Sequence, residues 1–403
     1  MNARLYLTSG LGLAALAAAL IAPQLFPQLA KAGAAAQPTE VVVDADVTDA
    51  VAEAVADPED KPVQVASRRD VDVVICLDTS GSMDNLIDSV RAKLWDIVNE
   101  VSELEPNARL RVGLITYGSP GPAGPDRGFV NRQIDLTDDL DGVYAKVMSV
   151  GITGGSEYVG WALNDAVQHM SWSDDDGAAR IVFIAGNEGA DQGRKFRDYR
   201  NAAATAAERG ILINAIYAGS RQAGINEGWA GVATAGGGSF SHIDMARGVA
   251  QVAAPQDEKL RELNDALNAS YVPYGEKGAE GLANQKAQDA NAWRLGAGSG
   301  SSRAVSKMSN QYSNPQWDLV DAISTGRADI ADLTEGDLPP ELRGQTLDAK
   351  NAWIDGKIEQ RNAVKAEIRR LGKKRKAHVD AERAHDGDEA LDEAVNSALE
   401  EQL

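Results

Sequence analysis

Asp78, Ser80 and Ser82 occupy alternate positions of one short segment, Asp78-Thr79-Ser80-Gly81-Ser82. A carboxylate and two hydroxyls so spaced on a tight loop turn three hard oxygens to one side, a donor set that suits Mg²⁺, Mn²⁺ or Ca²⁺ rather than zinc. The expected chemistry is binding of a divalent cation, Mg²⁺ first, with Mn²⁺ or Ca²⁺ as alternatives. A plainer role competes with it: a serine-rich turn in which Ser82 or Asp84 serves the first amides of a helix.

The elements around the segment favour the cation. The run Val73-Val74-Ile75-Cys76-Leu77 before it reads as a strand buried on both faces of a parallel sheet. After it, Leu86, Ile87, Val90, Leu94, Ile97, Val98, Val101 and Leu104 recur at helical spacing. Ligands of open α/β sheets gather just beyond the carboxyl ends of such strands. Further strands are expected at Leu110 to Tyr117, Gly128 to Leu136, Ile181 to Ala185, Ile211 to Tyr217 and Ser239 to Ile243. Helices between them carry Leu140, Val143, Tyr144 and Val147 after a Thr137 cap; Val159, Leu163, Val167 and Met170; and Phe196, Tyr199, Ala203 and Ala206. Alternation of this kind predicts an α/β fold, a central mostly parallel sheet with helices on both faces.

This stretch resembles the von Willebrand factor type A (VWA) domain, whose metal-ion-dependent adhesion site is written Asp-x-Ser-x-Ser; Asp78, Ser80 and Ser82 fill its three places. The resemblance runs to about residue 250 and implies a Rossmann-like fold. It also implies a second-loop Thr and a third-loop Asp as further ligands, and this chain departs from both. The second loop is Gly154-Gly155-Ser156-Glu157-Tyr158, with Glu157 at the ligand position, as in integrin β subunits, and Ser156 as the alternative. In the third loop the Asp position falls on Gly186, which has no side chain, leaving Asn187 or Glu188 as candidates. The family's sites leave one coordination position for an acidic side chain of a partner protein, so metal-dependent protein binding is the implied activity. Loops Gly118 to Arg127 and Ala185 to Gly193 would border that position.

No catalytic arrangement competes. The four histidines, His169, His242, His378 and His385, are scattered, and no HExxH, CxxC or Gly-x-Ser-x-Gly stands in a catalytic context. Gly154-Gly155 and Gly236-Gly237-Gly238 lack the surroundings of a phosphate cradle. No enzyme is expected. A net charge of −20 over 403 residues excludes nucleic acid as a partner.

The first 32 residues place Arg4, an apolar stretch from Leu11 to Ile21 and Ala30-Lys31-Ala32 in the order of a secretory signal peptide. An exported protein, periplasmic or extracellular, is expected; an uncleaved N-terminal membrane anchor is the alternative. Residues 33 to 68 hold no aromatic residue and read as an acidic disordered linker. The single cysteine, Cys76, excludes an internal disulfide.

The VWA-like part spans 69–254. Residues 255–345 read as helix and irregular connector, with 276 to 316 irregular, and 346–385 as a long charged helix, solvated or a possible coiled coil. Residues 386–403 read as an acidic tail. The segments 268 to 275, 288 to 292 and 317 to 322 resemble a group of exported bacterial proteins that carry a type A domain followed by a mainly α-helical C-terminal region, which implies an architecture and no activity. The alternative function is a structural or assembly scaffold of the cell envelope, acting through the long helix with a degenerate metal site.

Overall fold

The first strand, β1 (Asp70–Asp78), is buried along all nine residues. Alternate side chains feed two cores: Val71, Val73, Ile75 and Leu77 enter one, Val74 and Cys76 the other. That two-sided burial is what a central parallel strand covered by helices requires. The computed structural model describes residues 68–119, 124–152, 154–243, 252–383 and 391–403, all within one compact unit, Val65–Leu403. The expected signal peptide (1–32), nearly all of the linker (33–68), His385 and part of the loop after Gly118 lie outside the described residues.

Five more strands complete the sheet: β2 (Arg109–Tyr117), β3 (Asn131–Thr137), β4 (Ala179–Gly186), β5 (Ile211–Ala218) and β6 (Gly237–Ile243). Their order is β3-β2-β1-β4-β5-β6, and only the β2–β3 pair is antiparallel. From β1 the chain builds outward on the β2 side, then returns to build β4, β5 and β6 on the other. The strand order therefore reverses at the carboxyl ends of β1 and β4, the crevice where open α/β sheets hold ligands. Asp70 and Asp72 lie within β1, and each is engaged by a two-pronged arginine from β2: Arg109 to Asp70 at 2.9 and 2.8 Å, Arg111 to Asp72 at 2.8 and 2.6 Å.

Helix α1 (Asp84–Leu104) follows the Asp-x-Ser-x-Ser loop. Next come α2 (Leu140–Ser149), α3 (Val159–His169), α4 (Tyr199–Glu208), α5 (Arg221–Asn226) and α6 (Trp229–Gly236). Helices α1 and α2 cover one face of the sheet, and α3, α4 and α6 the other. Two local expectations are corrected. The cap of α2 is Asp139, whose carboxylate accepts from the Gly142 amide at 2.9 Å; Thr137 accepts from the Asp139 amide instead. Phe196 precedes α4 and is 57% exposed, because Asp198 caps that helix two residues later.

The C-terminal region is helical: α7 (Asp257–Asn268), α8 (Gly278–Leu295), α9 (Ala297–Ser306), α10 (Leu319–Ser324), α11 (Leu347–Arg383) and α12 (Leu391–Gln402). The irregular connector expected over 276 to 316 is overturned by α8 and α9. Its abundant Gly, Ser and Ala fit tight packing: a Cβ on Gly281 or Gly300 would run into the Trp317 or Trp293 ring. The acidic tail is overturned as well, since Leu391, Val395, Ala398 and Leu399 of α12 are buried in the core they share with α1. The long helix is not a solvated rod either. Its Ile354, Arg361, Ile368, Leu371 and Val379 are buried, and Gly372 lies against Val305 of α9.

Helices α7, α8, α11 and α12 share the core of the α1 side of the sheet, where Leu260, Ala292, Ile368 and Leu399, with Tyr271 and Tyr312 of the connecting segments, cluster with Leu94, Val98 and Leu140, while Leu319 and Val320 of α10 pack in a separate cluster with Ile354. A buried ionic network ties the parts together. Arg303 pairs with Asp141 of α2 at 2.8 Å and with Asp289 at 2.5 Å, while Lys307 reaches Asp289 at 2.9 Å. The Tyr312 hydroxyl donates to Asp141 at 2.6 Å, and the Arg303 guanidinium lies 4.6 Å over the Trp95 ring of α1. Among the described residues no helix is long and apolar enough to cross a membrane.

Candidate metal centre

Asp78 is the last residue of β1 and is fully buried. One carboxylate oxygen, Oδ1, accepts from the Ser80 amide at 2.8 Å. The loop is held shut from β2: the Thr79 amide and hydroxyl both donate to the Tyr117 carbonyl at 2.9 Å. Three buried oxygens at this end of the sheet, Asp78 Oδ2, Ser80 Oγ and Asn187 Oδ1, make no hydrogen bond of regular geometry, although the Ser80 hydroxyl and the Asn187 backbone amide both approach the Asp78 carboxylate. Each such atom costs about 1–3 kcal/mol unless something satisfies it, and native interiors hold few of them.

The second loop arrives at Gly118, the first residue after β2. A Cβ there would stand 2.8 Å from Asp78 Oδ1, 3.1 Å from Glu157 Cγ and 3.4 Å from Ser80 Cβ. The three side chains thus converge on a residue that has none and whose φ of +77° suits glycine. Gly155 packs against the Gly118 carbonyl, and the Glu157 amide donates to Gln192 Oε1 at 2.8 Å. Ser156 is half-buried in the same loop.

In the third loop the Asn187 side-chain amide donates to Ser82 Oγ at 3.1 Å, joining that loop to the first. Glu188 is exposed, and its carbonyl accepts from Trp229 Nε1 at 2.7 Å. Gly186 is closed to any side chain. Tyr117, whose hydroxyl donates to the Ala185 carbonyl at 2.9 Å, fills the place of its Cβ, and Asp78 Oδ2 would lie 3.0 Å away.

Burial pushes the Asp78 carboxyl up to about 6, and the charge of Glu157 adds to the rise, while the Ser80 amide and hydroxyl and the Asn187 backbone amide only partly offset it. Burial also raises Glu157, with Glu188 contributing, and it holds the Tyr117 phenol well above its ordinary value. Among the described residues no three His, Cys, Asp or Glu side chains gather as a metal site. The donors here are two carboxylates, the hydroxyls of Ser80 and Ser82 and the Asn187 amide oxygen.

Motif spacing passed over three residues that shape this centre: Tyr117, Gly118 and Gln192. Tyr117 was detectable in principle, since it ends β2 in register with Asp78. A large residue there, one strand removed from a β4 that ends in Gly186, indicates which side chain fills the third-loop space.

Residues 72–242 match the sequence profile of the von Willebrand factor type A domain. A comparison with curated proteins returns no match. Solved structures similar to the chain include an aerotolerance-related membrane protein from Bacteroides fragilis, at 20% identity and TM-score 0.30, over 43% of this chain and 92% of that one. Proximal thread matrix protein 1 from the mussel byssus, with a zinc-occupied MIDAS motif, aligns at 16% identity and TM-score 0.35, over 45% and 44%. The pilus adhesin SpaC from Lactobacillus rhamnosus GG aligns at 15% identity and TM-score 0.34, over 45% and 29%. The match thus spans less than half of the last two chains. Profile, strand order and the switch-point position of the Asp78 loop agree that residues 72–242 form a von Willebrand factor type A domain.

Proposed function

We propose that the protein is a metal-dependent protein-binding module, adhesion-type and without enzymatic activity, that works at the carboxyl end of its sheet. The observation that carries this reading is the gathering of three buried oxygens without regular hydrogen bonds, Asp78 Oδ2, Ser80 Oγ and Asn187 Oδ1, beside Gly118, where Asp78, Glu157 and Ser80 converge. A divalent cation is a fitting partner for hard oxygens gathered with incomplete hydrogen bonding. Asp78, Ser80, Ser82 and Glu157 would hold it, with Ser156, Asn187 or Glu188 as further contacts. Two carboxylates bring the charge that balances a divalent ion although Gly186 brings none. Mg²⁺ is the expected ion, with Mn²⁺ or Ca²⁺ as alternatives. When bound, it supplies a Lewis-acid bridge to an acidic side chain of the partner protein.

Export to the periplasm or cell exterior belongs to the same proposal and rests on the order of residues 1–32. The scaffold alternative draws less support, because Ile354, Ile368 and Leu371 of α11 are already buried within the chain.

Calorimetric titration of the protein with Mg²⁺, Mn²⁺ and Ca²⁺ tests the reading. Saturable binding at one site, lost in both Asp78→Ala and Glu157→Ala, is the expected result. Heats indistinguishable from dilution for all three ions would overturn it.

A further inference from the structure

Beside the candidate metal centre the surface changes character. The Tyr158 ring, one residue past Glu157, lies between Phe129 and Phe196, with ring centroids 6.0 Å away on either side. Phe196 is 57% exposed, one of few large hydrophobic side chains so placed among the described residues. Phe129 holds a φ of +59°, the left-handed region that a bulky side chain rarely adopts. Such strain persists only where the surroundings enforce it, and it clusters at functional surfaces.

The ledge is continuous with the centre. Gln192 holds the Glu157 amide, and the chain runs from it through Gly193 (φ +70°), whose Cβ would collide with the Tyr158 ring, to Lys195 and Phe196. It also carries cations. Lys195 Nζ lies 4.8 Å from the centre of the Phe196 ring, and the Arg197 guanidinium 4.5 Å over Trp161. Arg197 also donates to the Asn164 side-chain oxygen at 3.1 Å. Neighbouring Arg194 and Arg200 are paired with Asp198 and Asp191. Among the described residues no carboxylate pairs with Lys195, Arg197 or Arg127. In a chain of net charge −20, two cations without a carboxylate partner, Lys195 and Arg197, stand over rings of which Phe196 is exposed and Trp161 half-buried.

We propose that this ledge selects the partner: the segment that docks is an acidic peptide with a large apolar side chain close to the carboxylate that meets the ion. The proposal rests on the metal-bridged reading of the site and adds what that partner must look like beyond one acidic side chain. Aromatic rings and arginine are the residue types that carry most binding energy at protein interfaces. Opposite charge at the rim adds selectivity and speed of encounter.

Selection of a phage-displayed random dodecapeptide library on the immobilised protein in Mg²⁺ tests it, followed by fluorescence titration of the enriched peptides. The expected peptides combine several Asp or Glu with an aromatic or large aliphatic residue. They bind Phe196→Ser and Lys195→Glu about tenfold or more weakly, while calorimetric Mg²⁺ affinity stays unchanged in both variants. Enriched peptides without that composition, or with equal affinity for both variants, overturn the proposal. Failure of the metal reading looks different: peptides that need Phe196 and Lys195 but bind equally in EDTA and to Asp78→Ala would keep the ledge and remove the ion.

Discussion

The phenol oxygen of Tyr117 occupies the space that a Cβ on residue 186 would need, so Tyr117 and a side chain at 186 compete for one place. The third-loop Asp expected of the family is opposed by a side chain of β2, which reaches across the end of β1 to Gly186. Gly186→Asp is expected to destabilise the protein by about 1–3 kcal/mol through overpacking. Tyr117→Phe removes the colliding oxygen, so the double variant should be more stable than the sum of the two single losses by on the order of 1 kcal/mol. Urea unfolding of the four proteins measures this; simple additivity would show that the two positions do not compete for space.

Asp78 should weaken the ion-free protein that it serves. Its carboxyl titrates at about 6 when folded against an ordinary 3.8. Between those values the folded state holds the extra proton, so ion-free stability falls as pH rises through the window and stays low above it. A shift of this size corresponds to on the order of 2–3 kcal/mol. Asp78→Asn should therefore raise the Tm of the EDTA-treated protein at pH 7.5 and abolish any rise produced by Mg²⁺. A lower Tm in EDTA would contradict it.

The same carboxyl sets how ion binding depends on pH. Below about pH 6 the ion must displace a proton from Asp78, so affinity should fall about tenfold per pH unit and level off above 6. Calorimetry at four pH values between 5 and 8 gives the slope. A flat profile would mean that Asp78 is not a ligand.

Gly118 gives a test that leaves every proposed ligand in place. A methyl group there would press on Asp78 Oδ1 and Glu157 Cγ, in a backbone region that disfavours alanine. Gly118→Ala should cost Mg²⁺ affinity at least about tenfold while far-ultraviolet circular dichroism stays unchanged, the expectation for a site that tolerates little displacement. Unchanged affinity would show that Glu157 and Asp78 need not converge there.

The sheet and the Asp78 loop were legible because their signals are local: an unbroken apolar run, three oxygen-bearing residues at alternate positions and a helix-period stripe lie within 73 to 104. What could not be read depends on distant pairs. Nothing near Asp141 announces Arg303, and Gly300 looks like loop chemistry until Trp293 is seen to cover it. Likewise α11, with sparse apolar positions, resembles a solvated rod because its buried face includes Arg361 and Arg375. Arg361 meets Asp318 at 2.6 Å and Asp321 at 2.7 Å, and Arg375 meets Asp257 at 2.7 Å. Ion pairs have no periodicity to detect, so a helix that packs through them reads as surface.

Those pairs carry the last prediction, that the VWA fold of this chain depends on its C-terminal helices. Arg303 is fully buried between Asp141 of α2 and Asp289 of α8. Arg303→Met would leave Asp141 buried with the Tyr312 hydroxyl as its remaining donor. Breaking a buried pair from one side costs about 3–5 kcal/mol, much of it from the stranded charge. Asp141→Asn removes that charge and keeps an acceptor for Tyr312, and the Asp289–Lys307 pair is untouched. The double variant Asp141→Asn/Arg303→Met should therefore be more stable than Arg303→Met alone, read as a higher midpoint in urea. If it is less stable, Arg303 acts through its packing on Trp95 and not through charge. A chain ending at residue 254 would also leave Lys93, Trp95 and Glu100 of α1 without Asp392, Arg303 and Lys376. That fragment should bind the dye ANS strongly and lack a cooperative thermal transition, whereas a cooperative transition near that of the full chain would show that the domain folds alone.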